Sequence, residues 1–105
     1  MSGPEQPSVI GEEWSDERVK SWLFTTPWDR KISADYQALL KAYQAMRAHD
    51  FERFLGFFTE AGRDLNGLND EGLTILDRVS EHRRSQAYAE SLRRHGAKKA
   101  SELAE

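Results

Sequence analysis

Apolar residues recur along most of this chain at three- and four-residue steps, the spacing that places side chains on one face of an α-helix. The clearest stripe follows the i, i+3, i+4, i+7 pattern and comprises Phe51, Phe54, Leu55 and Phe58. No segment shows sustained alternation of apolar and polar residues, which a half-buried β-strand would require. The pattern therefore predicts an all-α protein built from amphipathic helices.

Residues that suit helix caps indicate where the predicted helices begin. A serine or aspartate at the N-cap can accept a hydrogen bond from a free amide of the first turn. The residues in such positions are Ser15, Ser33, Asp50 and Ser85. The stretch TILD, residues 74–77, also has the spacing of a capping box, in which two side chains cap each other's backbone. Together these positions predict five helix starts.

Proline and glycine residues indicate where the helices end. Pro27 disfavours helical geometry in the residue before it, so the first helix should stop there. Gly62 and Gly96 suit the left-handed position that commonly follows a helix. The predicted helices are residues 16–25, 34–48, 51–61, 75–83 and 86–95.

The length of the chain predicts a single domain, because 105 residues are enough for one modest hydrophobic core. Residues 1–13 are rich in Pro, Gly, Ser and Glu and are predicted to be a disordered tail. Residues 14–100 are predicted to form the helical domain, which begins with the N-terminal helices of residues 14–48. Residues 101–105 are predicted to fray.

The chain lacks the motifs of several kinds of site. Without cysteine it can form no disulfide and no thiolate metal site. The glycine-rich connector, residues 62–77, does not fit a calcium loop, because Leu68 stands where an oxygen ligand is needed and Asn69 where a glycine is needed. Its glycines are also spaced wrongly for a phosphate-binding loop. We therefore expect no metal ion and no cofactor.

No set of residues indicates catalysis. The only histidines are His49, His82 and His95, and no two of them have the spacing of a zinc-binding pair on a helix. The carboxylates of the connector, such as Asp64, are better explained by turn formation. We therefore expect no catalytic residue and do not expect an enzyme.

Six basic residues gather in the last third of the chain, although the net charge is −3: Arg83, Arg84, Arg93, Arg94, Lys98 and Lys99. Such a cluster can neutralise phosphates, so nucleic-acid binding through a basic C-terminal helix is the alternative function. We prefer the interpretation that the cluster keeps the end of a helical stack solvated, because acidic residues are interspersed and no aromatic residue is available for base stacking.

The N-terminal helix region is unusually rich in aromatic residues. Trp22 continues the apolar face that includes Leu23, and we expect it to pack in the core. Phe24 and Trp28 fit that face poorly. They are therefore candidates for an exposed partner-binding site, the alternative being that they pack on the next helix.

Three glycine-containing stretches recur in the second half of the chain: EAGRDLNG, NDEGLTILD and LRRHGAKKA. They resemble the ankyrin repeat, whose units end in G-A-D-V-N-A and restart with D-x-x-G-x-T-P-L-H. The resemblance covers residues 45–100, or about two units. Ile75 stands in place of the proline and Asp77 in place of the histidine. Gly62 and Gly96 are 34 residues apart, close to the period of roughly 33 residues in ankyrin repeats.

This resemblance implies helix–turn–helix pairs that stack on each other, with an N-terminal helix capping the open end. It also implies non-catalytic binding of another protein, by a monomer or a weak homodimer. The contacts would come from the turn tips and the inner helices, here Asn66, Asn69, Asp70, Glu71, Leu73, Arg47 and Arg78. We expect a cytoplasmic protein with no membrane partner, since the chain has no long apolar run and no basic, apolar leader.

Overall fold

The computed structural model describes residues 14–103, and every regular element within them is helical. The predicted all-α class is thus confirmed. The elements are α1 (Asp16–Ser21), a 3₁₀ turn (Trp22–Phe24), α2 (Ala34–Ala45), α3 (Ala48–Glu60), α4 (Ile75–Ser80), a second 3₁₀ turn (Arg83–Ser85), α5 (Gln86–Arg94) and α6 (Ala100–Leu103). The predicted tail, residues 1–13, and residues 104–105 lie outside the described residues.

The core forms around the apolar stripe of α3, as its periodicity predicts. The side chains that are fully buried there are Phe51, Phe54, Leu55 and Phe58. Each large apolar side chain that leaves water in this way contributes roughly 1.5–3 kcal/mol. Leu76 of α4 and Leu92 of α5 are also buried.

The helices form two pairs that pack on each other. The first pair is α2 with α3, and the second is α4 with α5; α3 contacts α5, and α2 contacts α4. The N-terminal helix α1 packs against α3 through Val19, which is fully buried. Arg53 of α3 strengthens this contact, since it donates a hydrogen bond of 2.8 Å to the carbonyl of Trp14 and pairs with Asp16.

The boundary between α2 and α3 differs from the prediction. The second helix ends at Ala45 and the third begins at Ala48, because Met46 adopts an extended conformation between them. Tyr88 holds this break by donating a hydrogen bond of 2.5 Å to the Met46 carbonyl. Asp50 was predicted as the N-cap of the third helix, and this was wrong. It lies in the first turn of α3, buried and paired with Arg53 at 2.9 Å.

Other predicted caps have mixed outcomes. Ser15 and Ser33 cap α1 and α2 as predicted, by accepting hydrogen bonds from first-turn amides. Thr74 forms the predicted capping box with Asp77. Ser85 precedes α5 but does not cap it, because its hydroxyl is hydrogen-bonded to Tyr43 at 2.5 Å.

Two helices end earlier than predicted, and part of the segment predicted to fray is helical. Helix α1 passes into a 3₁₀ turn after Ser21, and α4 ends at Ser80. Residues 101–103 were predicted to fray but belong to α6, which begins at Ala100. Asp77 accepts a hydrogen bond of 2.8 Å from the Ala100 amide and so holds the start of this helix. The long-range contact explains why local sequence alone suggested disorder.

Candidate functional site

The loop between α1 and α2 is organised by one buried side chain, Gln37 of α2. Its Oε1 accepts hydrogen bonds from the amides of Trp28 and Asp29 at 2.7 and 3.1 Å. Its Nε2 donates to the carbonyls of Asp29 and Ile32 at 2.8 and 2.9 Å. The side chain is fully buried, and these four bonds use both of its donor hydrogens and both acceptor positions. The loop is therefore wrapped around a satisfied polar group.

Phe24 and Trp28 lie in water on this ordered framework. The exposed fraction is 81% for Phe24 and 52% for Trp28. The ammonium of Lys41 lies 5.3 Å from the centre of the Trp28 ring, within the range of a cation–π contact. Phe24 thus lies at the surface, whereas Trp28 is half exposed and contacts Lys41 of α2, the next helix.

The 3₁₀ turn that carries Phe24 is also fixed. Arg63, in the connector after α3, donates a hydrogen bond of 2.8 Å to the Leu23 carbonyl and pairs with Asp35 in the first turn of α2. Asp35 also accepts a hydrogen bond of 2.8 Å from the Asp64 amide. The turn, the connector and α2 are therefore joined through one arginine and one aspartate.

The connector brings a third apolar side chain to the same end of α2. Leu68 is 43% exposed, and its carbonyl accepts a hydrogen bond of 3.1 Å from the Ser33 amide. Gly67 lies so close to Ser33 that an added Cβ would be 2.2 Å from the serine Oγ. The name apolar trio is used here for the side chains of Phe24, Trp28 and Leu68. Their backbone segments are hydrogen-bonded to the first part of α2. The Trp28 amide binds Gln37, the Leu68 carbonyl binds the Ser33 amide, and Arg63 joins the Leu23 carbonyl to Asp35.

Two connector residues that were predicted to contact a partner form hydrogen bonds within the protein. The Asn66 side chain accepts a hydrogen bond of 2.7 Å from the Lys98 amide. Asn69 accepts hydrogen bonds from the amides of Glu71 and Leu73 at 2.8 and 3.0 Å, which closes the turn. Both asparagines therefore shape the connector.

The remaining residues of that set divide by exposure. Asp70 and Glu71 are exposed at the tip of the connector, whereas Leu73 is half-buried. Arg47 and Arg78 are exposed on the link before α3 and on α4. Four of these five residues are therefore exposed, and one is half-buried.

The basic cluster is partly neutralised by the protein's own carboxylates. Arg93 forms two hydrogen bonds with Glu102, of 2.7 and 3.0 Å, and Arg94 pairs with Glu52. These arginines lower the pKa of each of the two carboxyl groups to about 2. Among the other members of the cluster, Lys99 is half-buried. The remaining three are exposed: Arg83, Arg84 and Lys98. The cluster therefore presents less free positive charge than the sequence suggested.

Glu52 also joins a serine and a histidine that sequence reasoning did not connect. It accepts a hydrogen bond of 2.7 Å from Ser91, and its other oxygen lies 2.8 Å from His95 Nε2. Catalysis by a serine triad requires the histidine to bond the serine, and no such bond exists within residues 14–103. These residues lie about 40 positions from Glu52 in the sequence, so no local motif could have revealed the cluster. It ties α3 to the end of α5.

Metal-ligand clusters and membrane-spanning helices are absent from the part of the chain that is described. Residues 14–103 contain no group of three or more histidine, aspartate or glutamate side chains that could hold a metal ion. None of their helices is both long enough and apolar enough to cross a bilayer.

Comparison with protein-family models, curated proteins and solved structures finds no match to this chain. The ankyrin resemblance therefore stays a prediction from the residues quoted above.

Proposed function

We propose that this protein is a non-catalytic interaction module that binds another protein through Phe24 and Trp28. The observation that carries this proposal is the exposure of two large aromatic side chains on backbone that Gln37 and Arg63 hold in place. Aromatic residues are frequent anchors of protein interfaces, because they bury a large area in one geometry. Backbone that is already ordered also reduces the entropy lost on binding.

The energetic scale of this surface suits binding. An aromatic side chain buries roughly 150–250 Å² when it is fully enclosed. At about 25 cal/mol for each Å² of apolar area, covering the exposed parts of both rings would contribute a few kcal/mol. Leu68, which is anchored to the same end of α2, could extend the contact. The apolar trio is therefore large enough to serve as the centre of an interface.

The resemblance to ankyrin repeats favours the same function and adds a second set of contacts. It implies binding through turn tips and helix surfaces, where Asp70, Glu71, Arg47 and Arg78 are exposed. The absence of cysteine is compatible with a reducing compartment, and the cytoplasm is our proposed location. We propose a monomer or a weak homodimer as the binding form.

Nucleic-acid binding has less support as an alternative. It requires exposed positive charge along one face, and two of its candidate arginines, Arg93 and Arg94, are paired with glutamates. An electrophoretic mobility assay with single- and double-stranded oligonucleotides at low salt tests it. We expect no shift, because phosphate binding depends on the release of counterions by free cations. A shift that Arg83→Glu/Arg84→Glu abolishes would favour the alternative.

The proposed function is tested by affinity capture from the native lysate with matched variants. A protein captured by the wild type should be lost when both aromatic residues are replaced, in Phe24→Ser/Trp28→Ser. It should be retained by Leu103→Ser, which removes another exposed apolar side chain, one that lies on α6. Equal melting temperatures would show that the variants are folded. Retention of every captured protein by the double variant would refute the proposal.

A further inference from the structure

Three basic residues accompany Trp28. Lys41 lies over the indole ring, and Arg30 and Lys31 follow in the same loop with exposed side chains. Within residues 14–103, no carboxylate pairs with the side chain of any of these three residues. One cation thus contacts the Trp28 ring, and two more are exposed in the loop that carries it.

The nearby carboxylates are occupied by other groups. Asp29 accepts a hydrogen bond of 2.9 Å from the Lys31 amide, which closes the turn after Trp28. Asp35 is bound by Arg63 and by the Asp64 amide. Neither carboxylate forms an ion pair with any of the three cations. The Trp28 loop therefore combines an exposed aromatic side chain with exposed basic side chains that no carboxylate of residues 14–103 neutralises.

Resting on the proposed function, we infer that the partner of this surface is an acidic peptide segment that carries an apolar anchor. The anchor would cover Trp28 and Phe24, and aspartate or glutamate residues on either side would pair with Arg30, Lys31 and Lys41. Complementary charge of this kind guides association and selects against neutral or basic segments. It also leaves no cation uncompensated when the contact excludes water.

Single-stranded nucleic acid also combines negative charge with flat groups that stack on aromatic rings. One observation favours the peptide. Lys41 already lies over the Trp28 ring, where a base would have to stack face to face, whereas an aliphatic anchor needs no stacking geometry. A labelled oligouridine is therefore included in the test as the competing ligand.

The experiment is a display selection from a random peptide library. Peptides that bind the full chain are kept, and those that also bind the Phe24→Ser/Trp28→Ser variant are removed. The selected peptides should contain an aromatic or large aliphatic residue flanked by aspartate and glutamate. Peptides that require the two aromatic residues but show no acidic enrichment would overturn the inference and leave the proposed function standing. If no peptide distinguishes the wild type from the double variant, both fail.

Fluorescence anisotropy with the tightest selected peptide then tests the contribution of the basic residues. Arg30→Glu/Lys41→Glu should weaken binding about tenfold or more, and rising salt should weaken it as well. Arg84→Glu, which reverses an exposed cation outside this surface, is the control and should leave the dissociation constant unchanged. Equal loss in both variants would contradict the inference. Tighter binding of the oligouridine, with the same dependence on Trp28, would overturn it in favour of nucleic acid.

Discussion

At the residue scale, one buried amide determines the conformation of the surface that we propose as functional. The sequence indicated that Phe24 and Trp28 depart from the apolar face of their segment, and both are exposed. It did not reveal Gln37, because a glutamine in an amphipathic helix ordinarily faces water. Its burial depends on loop carbonyls and amides that only the tertiary structure brings to it.

Replacement of Gln37 by leucine should destabilise the protein and loosen the loop. Leucine has a similar volume but leaves the loop amides and carbonyls without their partner, which costs roughly 2–4 kcal/mol. Urea denaturation measures the free energy of unfolding. Hydrogen exchange measures how fast the amide protons of Trp28 and Asp29 exchange with solvent, and both should exchange faster in the variant. The control is Gln44→Leu, at an exposed position of the same helix, which should change neither quantity. Slow exchange of both amides in Gln37→Leu would contradict this account of the loop.

Two glycines should respond to alanine in opposite directions. Gly67→Ala would place a methyl group against Ser33 and should destabilise by about 1–3 kcal/mol. Gly56→Ala, in the middle of α3 with no atom within 4 Å of the added carbon, should stabilise by about 0.5–1 kcal/mol. Thermal and urea unfolding of both variants measures the difference. Destabilisation by Gly56→Ala together with a neutral Gly67→Ala would be inconsistent with the packing described.

At the element scale, local signals were reliable where they act within one helix. The stripe of α3 predicted its buried face, and Thr74 with Asp77 predicted the capped start of α4. The break at Met46 was missed because no proline or glycine marks it. Its carbonyl is bound by Tyr88, a residue 42 positions away. Contacts between residues far apart in the sequence, including the one between Asp77 and the start of α6, are not encoded in any local pattern.

At the scale of the whole molecule, carboxylates with lowered pKa join the helices near the C-terminus. Arg94 lowers the pKa of Glu52 to about 2, and Arg93 does the same for Glu102. Glu52 connects α3 to the end of α5, while Glu102 connects α5 to α6. The helical pairs are therefore held both by a continuous apolar core and by a few ion pairs at one end.

Because of these carboxylates, the stability of the fold should decrease at acidic pH. The folded pKa of Glu52, about 2, lies below its ordinary value of 4.5, so its contribution is complete above the higher value. As the pH falls from that value towards 2, the folded state loses this contribution, and the melting temperature should drop. In Glu52→Gln the drop over this range should be smaller. Parallel curves for the two proteins, measured by circular dichroism, would show that Glu52 does not contribute in this way.

The central claim is that Phe24 and Trp28, held on a loop wrapped around Gln37, form the centre of a binding surface. Titration of isotope-labelled protein with the tightest selected peptide, followed by nuclear magnetic resonance, tests it most directly. The account predicts that the amide chemical shifts change most at Phe24, at Trp28 and at their neighbours around the first turn of α2. Changes concentrated instead on Arg83, Arg84 and the C-terminal basic residues would contradict it.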